Sequence, residues 1–569
     1  LREVHYPPEG TPFAQLQASA TPAHRRLIFE ELFFLELGLE LKRRRMRERA
    51  GIAFATTDKV REAIREVLPF HPTSAQKRAL GEIVADMRTP SPMRRLLQGD
   101  VGSGKTIVAL QAMLVAIENG YQAALMAPTE ILATQHFLAA RKLLERSSRK
   151  PRIVLLTGSL DEDRKRQTRG LINRGEAQLV IGTHALIEEK VEFDRLGLVV
   201  VDEQHRFGVL QRFKLMKKPN EAEPDVLVMT ATPIPRTLAL SLYGDLDVSV
   251  LDELPPGRTP IVTRRVPGEE SEKVWDFVRK QVGNGRQAFI VYPVIEGSKD
   301  DQPELDFSHD DLEAGVDSDP RLASQVSESR PGAPRPLRKG KTADLFSKAQ
   351  QEASPAAKSG LKSAVEMHEK LRTGPLAGLR LGLLHGRLDA DEKEIVMRRF
   401  QRREIDVLVA TTVVEVGVDV PNATVMVVEH AERFGMAQLH QLRGRVGRGA
   451  AKSYCILITG ARVSPLGEER LNAMVRTQDG FELAELDLSM RGPGEFFGTR
   501  QAGLPDFRVA NLVRDRQLLE LAKIEAARFA NPSNADPGKA NQGTEAERAR
   551  VWARLKEAWQ RRYGLVEAG

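Results

Sequence analysis

The chain is poor in cysteine, with Cys455 alone in 569 residues. One thiol excludes an intramolecular disulfide framework and any metal site built on several cysteines. It is compatible with a reducing compartment. No stretch reaches the ~18 consecutive apolar residues that a membrane-spanning helix needs. The opening segment, LREVHYPPEG, lacks the apolar core of a signal peptide and lacks an initiator Met. The expectation is a chain whose N-terminal part is missing. Excess charge of one sign is also small: Lys and Arg number 85 against 78 for Asp and Glu, a net charge of +7. That balance favours a polyanionic partner only mildly.

What is present points to a large α/β protein. Hydrophobic residues make up 41% and charged residues 29%, ordinary values for a globular chain. The length exceeds the ~250–300 residues at which a single core stops growing. At roughly 150 residues per domain, three or four domains are expected.

The chain divides by its patterns. Residues 1–58 read as a Pro-rich linker followed by a long docking helix, AHRRLIFEELFFLELGLELKRRRMRERA. Its apolar residues form no clean stripe, which suits a helix covered on two faces. Its Lys42–Arg45 run could touch nucleic acid or simply face solvent. Residues 59–265 carry a βα rhythm, with RRLLQ, ALMAP, RIVLL, QLVIG, LGLVVVDE and DVLVMTAT as buried strands. Residues 266–465 carry a second series: QAFIVYPV, LRLGLLHG, IDVLVATT, ATVMVVEH and AKSYCILI. Short apolar runs alternating with helices mean parallel sheets covered on both faces. Two such domains in tandem leave a cleft between them, and a cleft that opens and closes can couple a ligand to motion. Residues 299–360, rich in Asp, Ser, Pro, Gly, Ala and Lys, read as a disordered insertion in the second domain. Residues 466–569 read as a helical tail holding the compact segment RGPGEFFGTRQ. Its last helix places Trp552, Leu555 and Trp559 on one docking face.

The strongest motif is Gly99-Asp100-Val101-Gly102-Ser103-Gly104-Lys105-Thr106, between a strand-like run and a helical one. Glycines let successive backbone N–H groups converge on a phosphate, and the helix N-terminus adds positive potential. Lys105 is placed for the β- and γ-phosphates of ATP and Thr106 for Mg²⁺. LGLVVVDEQH ends a strand in two carboxylates. Asp202 is placed to hold the metal, and Glu203 to orient and deprotonate the attacking water. Gln204 and His205 follow; His205 suits a relay to the DNA side or a plain hydrogen bond. Gln76, ahead of the first helix of the domain, suits adenine recognition or a helix surface, and Thr73 or Ser74 a cap. QLHQLRGRVGRG brings Arg443, Arg445 and Arg448 among glycines. A phosphoryl group in transfer spreads charge over its oxygens, and an arginine finger neutralises it. Arg445 and Arg448 are the fingers expected, with Gln441 near the γ-phosphate or its water.

The strings GDVGSGKT, APTEILA, DEQH, TATPIPRTLA, ATTVVEVGVDVPNA and QLRGRVGRG, in this order, resemble the superfamily 2 helicases. MAPTEILA, GTHALI, VDEQHRFG, MTATPIPRTLALSLYGDLDVS, LLHGR and ERFGMAQLHQLRGRVGRG are similar to the bacterial RecG-type branched-DNA translocases. RGPGEFFGTRQAGLPDF resembles that family's translocation element. The resemblance runs over about residues 20–530, the insertion apart. It implies two tandem RecA-like P-loop domains and an ATP-dependent, monomeric motor on double-stranded DNA. Such a motor remodels stalled forks and Holliday junctions by fork reversal and branch migration. It would act in the bacterial cytoplasm at the nucleoid, with single-stranded DNA-binding protein as a further partner and no membrane. Displacement of bound protein from duplex DNA, without unwinding, is the alternative.

By the same resemblance Gly417 and Asp419 fall in the stretch joining ribose and track contacts. Arg491, Arg500 and Gln501 belong to the translocation element, and Thr230 and Thr232 to a coupling triplet. Read from the residues alone, the two threonines end a strand and suit either a hydrogen-bond chain or simple capping. Thr129 begins a helix, where a cap and a backbone-phosphate contact are both open to it. Thr183 and His184 follow a strand and suit phosphate contacts, or a buried, satisfied histidine. The family's N-terminal wedge, which splits strands at a junction, has no counterpart in this sequence, so junction opening is the activity in question.

Overall fold

In the computed structural model the residues described are 2–68, 70–203, 222–230, 246–255, 259–293, 363–411, 420–449, 451–512 without 492–506, 514–530 and 549–554. Two parallel sheets dominate. The first has seven strands: β1 (Arg94–Gly99), β2 (Gln122–Met126), β3 (Ile153–Leu156), β4 (Leu179–Gly182), β5 (Leu196–Val201), β6 (Asp225–Thr230) and β7 (Asp247–Leu251). Their order is β3-β4-β2-β5-β6-β1-β7. The second has six: β8 (Val262–Pro267), β9 (Gln287–Val291), β10 (Leu381–Leu384), β11 (Val407–Ala410), β12 (Ala423–Val428) and β13 (Tyr454–Thr459). Their order is β10-β11-β9-β12-β13-β8.

The side-chain period of two splits each strand between two cores. On one face of the first sheet Leu97, Leu125, Leu198, Val200 and Leu227 pack together; on the other lie Leu96, Ala124, Met126, Val199 and Val226. The second sheet repeats the pattern, with Phe289, Val291, Met426 and Leu457 opposite Ala288, Ile290, Val425 and Ile456. Cys455 is buried in this core, and burial pushes its thiol up to about 12, so it packs rather than reacts.

Every apolar run read as a strand is one. The edge strands β7 and β8 escaped, because a half-exposed edge such as VTRRVP carries no apolar run. β8 crosses the expected 265/266 boundary, and its pairing with β13 puts it in the second sheet.

The long helix spans Pro22–Arg47, capped by the Thr21 side chain, which accepts from the His24 N–H at 3.3 Å. It does dock, onto the C-terminal helix Arg516–Ala530. Ile28 and Leu32 meet Leu519 and Ala522, and Leu37 meets Ala526 and Ala530. Arg44 of the basic run donates to the Ala530 carbonyl at 3.0 Å, and Arg43 pairs with Glu40. Trp552 joins this group beside Phe529, while Leu555 and Trp559 lie outside the described residues. The first 21 residues are not wholly extended as expected: Arg2–His5 and Phe13–Gln17 are helical turns. Pro12 just ahead of the second turn suits a helix start, since its missing N–H is not needed there. The expected insertion, residues 299–360, lies outside the described residues. Among the described residues no helix is long and apolar enough to cross a membrane.

Candidate active site

The phosphate loop leaves the C-terminal end of β1 and enters the helix Lys105–Glu118. Gly104 makes the entry, with φ +92°, and a Cβ there would strike the Gln76 amide. Gln76 is 2% exposed, so it is not a helix-surface residue. Its Oε1 accepts from the Thr73 N–H at 3.0 Å, closing a capping box, and its Nε2 donates to the Ser103 carbonyl at 2.9 Å. The amide expected to read adenine thus braces the phosphate loop.

The Lys105 ammonium donates to the carbonyls of Gly99 and Asp100 at 2.8 and 2.9 Å. Burial pushes it below its usual range, against the pull of Asp202, Glu203 and Asp100, with Arg448 adding to the lowering. These groups therefore act on one another across the site. Thr106 follows on the same helix turn, half-buried. Ser103 is fully buried, and its hydroxyl has no hydrogen-bond partner among the described residues.

Asp202 and Glu203 stand just past β5. The Asp202 N–H extends the ladder to the Met126 carbonyl at 2.9 Å. Burial would raise the Asp202 carboxyl. The hydrogen bond and charge of His136 outweigh it, with Lys105 and the Glu203 N–H, and hold the group below its usual range. His136 Nε2 lies 2.8 Å from Asp202 Oδ2. Glu203 has φ +51°, a left-handed backbone that costs a non-glycine residue about 1–2 kcal/mol.

The arginine loop comes from the second domain. The helix Met436–Arg443 runs into Gly444 and then Arg445. A Cβ on Gly444 would lie 2.8 Å from Val101 Cβ of the phosphate loop, so glycine permits the close approach of the two backbones. His440 Nε2 reaches Asp100 Oδ1 at 2.5 Å. The three arginines divide. Arg443, 2% exposed, is spent on the carbonyls of Met474 and Thr477 at 2.8 Å each and on His440 Nδ1. Arg445 is 6% exposed. Arg448 donates through Nε to the Gly444 carbonyl and lies near enough to act on Lys105. Gln441 is half-buried on the same helix.

Elsewhere the track residues differ from one another. Thr129 caps the helix Glu130–Leu144, accepting from the Leu132 N–H at 3.4 Å. Thr183 is 1% exposed, which removes its hydroxyl from any surface contact, whereas His184 is exposed rather than buried and satisfied. Thr230 ends β6 and is buried, in register with Gln98 of β1. His205, Thr232, Gly417, Asp419, Arg500 and Gln501 lie outside the described residues, as does the side chain of Arg491.

Sequence reasoning missed His136 and His440. The signal for His136 was its place in the helix that Thr129 opens, one strand away from Asp202; nothing in a linear string aims it there. His440 stood inside the arginine motif itself and was passed over for its neighbours.

Comparison with known proteins identifies the family. Residues 73–240 match the DEAD/DEAH box helicase family and residues 346–450 the helicase conserved C-terminal domain. Residues 477–563 match the C-terminal part of domain 3 of the ATP-dependent DNA helicase RecG. The chain is 45% identical over 529 residues to an ATP-dependent DNA helicase RecG from Synechocystis, covering 93% of this chain and 55% of that protein. With the RecG of Streptococcus pneumoniae the identity is 43%, over 93% of this chain and 68% of the relative. A solved structure of RecG bound to a three-way DNA junction superposes with a TM-score of 0.64 at 42% identity, over 87% of this chain and 57% of that one. The chain thus spans between about half and two-thirds of the length of these relatives. With tandem parallel sheets, a complete phosphate loop and an arginine loop laid against it, the chain belongs to the RecG family of ATP-dependent DNA helicases.

Proposed function

We propose that this chain is an ATP-driven motor on double-stranded DNA that remodels branched DNA such as stalled forks and Holliday junctions. The observation that carries it is the apposition of Gly444 and His440 from one domain on Val101 and Asp100 of the other. ATP on the phosphate loop would then lie between two lobes, and its turnover must report their closure. A related RecG is solved on a three-way DNA junction, which supports branched DNA as the track.

In this reading Lys105 and the phosphate-loop N–H groups bind the β- and γ-phosphates. Glu203 orients the attacking water and takes its proton. Arg445 and Arg448 neutralise the charge that develops on the γ-oxygens, with Gln441 beside the water. His136 holds Asp202 ionised and fixed. Mg²⁺ fits the donor set: one hydroxyl, Thr106, and one carboxylate, Asp202, are hard oxygen donors. Among the described residues no cluster of three or more His, Cys, Asp or Glu could hold a metal by itself. Substrate phosphates and water would supply the remaining oxygen ligands. When bound the ion would neutralise phosphate charge. Thr129 and His184 remain the candidate contacts toward the track, and Thr230, buried at the end of β6, a candidate coupling residue. Arg491, Arg500 and Gln501 would couple closure to a push on the duplex.

The test is phosphate release compared across single-stranded, duplex, forked and four-way DNA. Stimulation by duplex and branched DNA well above single-stranded DNA is expected. Equal stimulation by all of them would end the duplex-motor reading. Arg491→Ala should keep much of the stimulated hydrolysis while losing triplex displacement.

A further inference from the structure

Three side chains form a continuous path between the two domains that the ATPase reading does not require. Arg443 is a donor only, since a guanidinium has no acceptor. Its Nη2 lies 2.9 Å from His440 Nδ1, so Nδ1 accepts. Nε2 is then the donor, and it meets Asp100 Oδ1 at 2.5 Å. The same Oδ1 accepts from the Val101 N–H at 2.6 Å, which fixes the turn of the phosphate loop. The Asp100 carbonyl in turn accepts from Lys105. At the other end, Arg443 Nη1 donates to the carbonyls of Met474 and Thr477. These close the helix Pro465–Arg476, just ahead of the helix Gly480–Arg491.

We propose that Asp100, His440 and Arg443 are a positioning relay. It registers the arginine loop on the phosphate loop and ties that register to the C-terminal helices. His440 and Arg443 are 4% and 2% exposed, so water cannot replace a lost member of the path. Gly444 supports the relay sterically, by allowing the backbone after Arg443 to close on Val101. Arg445 follows Arg443 by two residues, so a shift of the relay moves the finger. The consequence is specific. Weakening the relay lowers the rate of the chemical step, where the fingers act, and spares the affinity for nucleotide, which the phosphate loop supplies.

The relay rests on the ATPase reading, and the variants separate the two. His440→Asn keeps an amide oxygen for Arg443 and is too short to reach Asp100. His440→Gln restores a donor at the Nε2 position. His440→Phe keeps ring volume and removes both bonds. The measurements are kcat of DNA-stimulated ATP hydrolysis and the dissociation constant of a fluorescent ADP analogue, on the whole chain. His440→Asn is expected to lower kcat about tenfold, the value of one hydrogen bond to a charged group. Nucleotide affinity should stay within about twofold, and His440→Gln should recover most of the rate. His440→Phe should fall at least as far as His440→Asn, and its loss by misfolding leaves the Asn and Gln pair to decide. An unchanged kcat in His440→Asn overturns the proposal. So does a loss of nucleotide affinity in step with kcat, which would mean a scaffold for the loop and no more. Wild-type protein that hydrolyses ATP without response to DNA would count against the motor reading alone. Basal kcat then tests the relay by the same rule.

Discussion

The ends of β5 and β12 make an instructive pair. Each strand runs out of a buried apolar stretch into an acid, Asp202 in one sheet and Glu429 in the other. Each acid extends the parallel ladder with its own N–H, to Met126 and to Val291, at 2.9 Å in both cases. Each is followed by a left-handed residue with φ +51°, Glu203 and His430. The backbone device is the same; the surroundings are not. Two strands from β5, beyond β6, stands β1 with the phosphate loop, whereas the strand in the matching position of the second sheet is the exposed edge β8, which leads into Gly268–Glu270. His430 turns to Glu432 at 3.3 Å, and Glu432 is tied to the Gly460 N–H. A strand end with an acid and a strained turn is therefore a property of the fold. In the first sheet it stands two strands from a phosphate-loop motif; in the second it does not.

Three measurements test that contrast, and a fourth sets Asp202 against a buried acid elsewhere. Replacing Arg445 or Arg448 with Ala should lower ATP turnover by about a thousandfold while nucleotide still binds, since an arginine finger acts only on the developing charge. Phosphate release at saturating ATP measures it, and intact turnover after loss of both arginines would remove the shared-site argument. Glu203→Gln should slow turnover by about a hundredfold with affinity retained. A loss of affinity with full turnover would assign Glu203 to binding. Glu429→Gln, at the equivalent strand end, should leave turnover within about twofold per folded molecule. A drop as large as that of Glu203→Gln would mean that both sheets are catalytic.

The fourth uses pH. Asp202 and Glu36 are both buried acids with opposite outcomes. Asp202 lies below its usual range because His136 and Lys105 outweigh burial. Glu36, 2% exposed in the long helix, is pushed by burial from 4.5 to about 7, only partly offset by Arg43 and Lys523. A raised carboxyl costs nothing below its unfolded value. The penalty grows as the pH climbs toward about 7 and is complete above it. Glu36→Gln should therefore raise the melting temperature more at pH 8 than at pH 5, by a difference worth roughly 3 kcal/mol. An equal shift at both values would show that Glu36 is paired. For Asp202 the sign reverses: its contribution is present above the ordinary carboxylate range and disappears as the pH falls below it.

Much of this molecule was legible in its string. The strands flanking the site announced themselves as apolar runs because parallel strands are buried on both faces. The phosphate loop, the acid pair and the arginine motif were legible because each is a local string with its own chemistry. The cap made by Thr129, one of the two roles open to it, was legible as a matter of one helix turn. The edge strands β7 and β8 were not, because their exposed positions leave no apolar run, whereas the edges β3 and β10 kept one.

Linear order alone settled which groups the protein owns: Lys105 on a glycine loop, Asp202 and Glu203 at a strand end, Arg445 and Arg448 between glycines. Those assignments depend on neighbours a few residues away, where backbone geometry is short-range. Only the folded chain decided their partnerships. His136 on Asp202, Gln76 under Ser103, and His440 on Asp100 join residues far apart in sequence, and such contacts depend on how helices and sheets pack. Three similar arginines divided for the same reason: packing spent Arg443 on the carbonyls of Met474 and Thr477, while Arg448 came within electrostatic reach of Lys105.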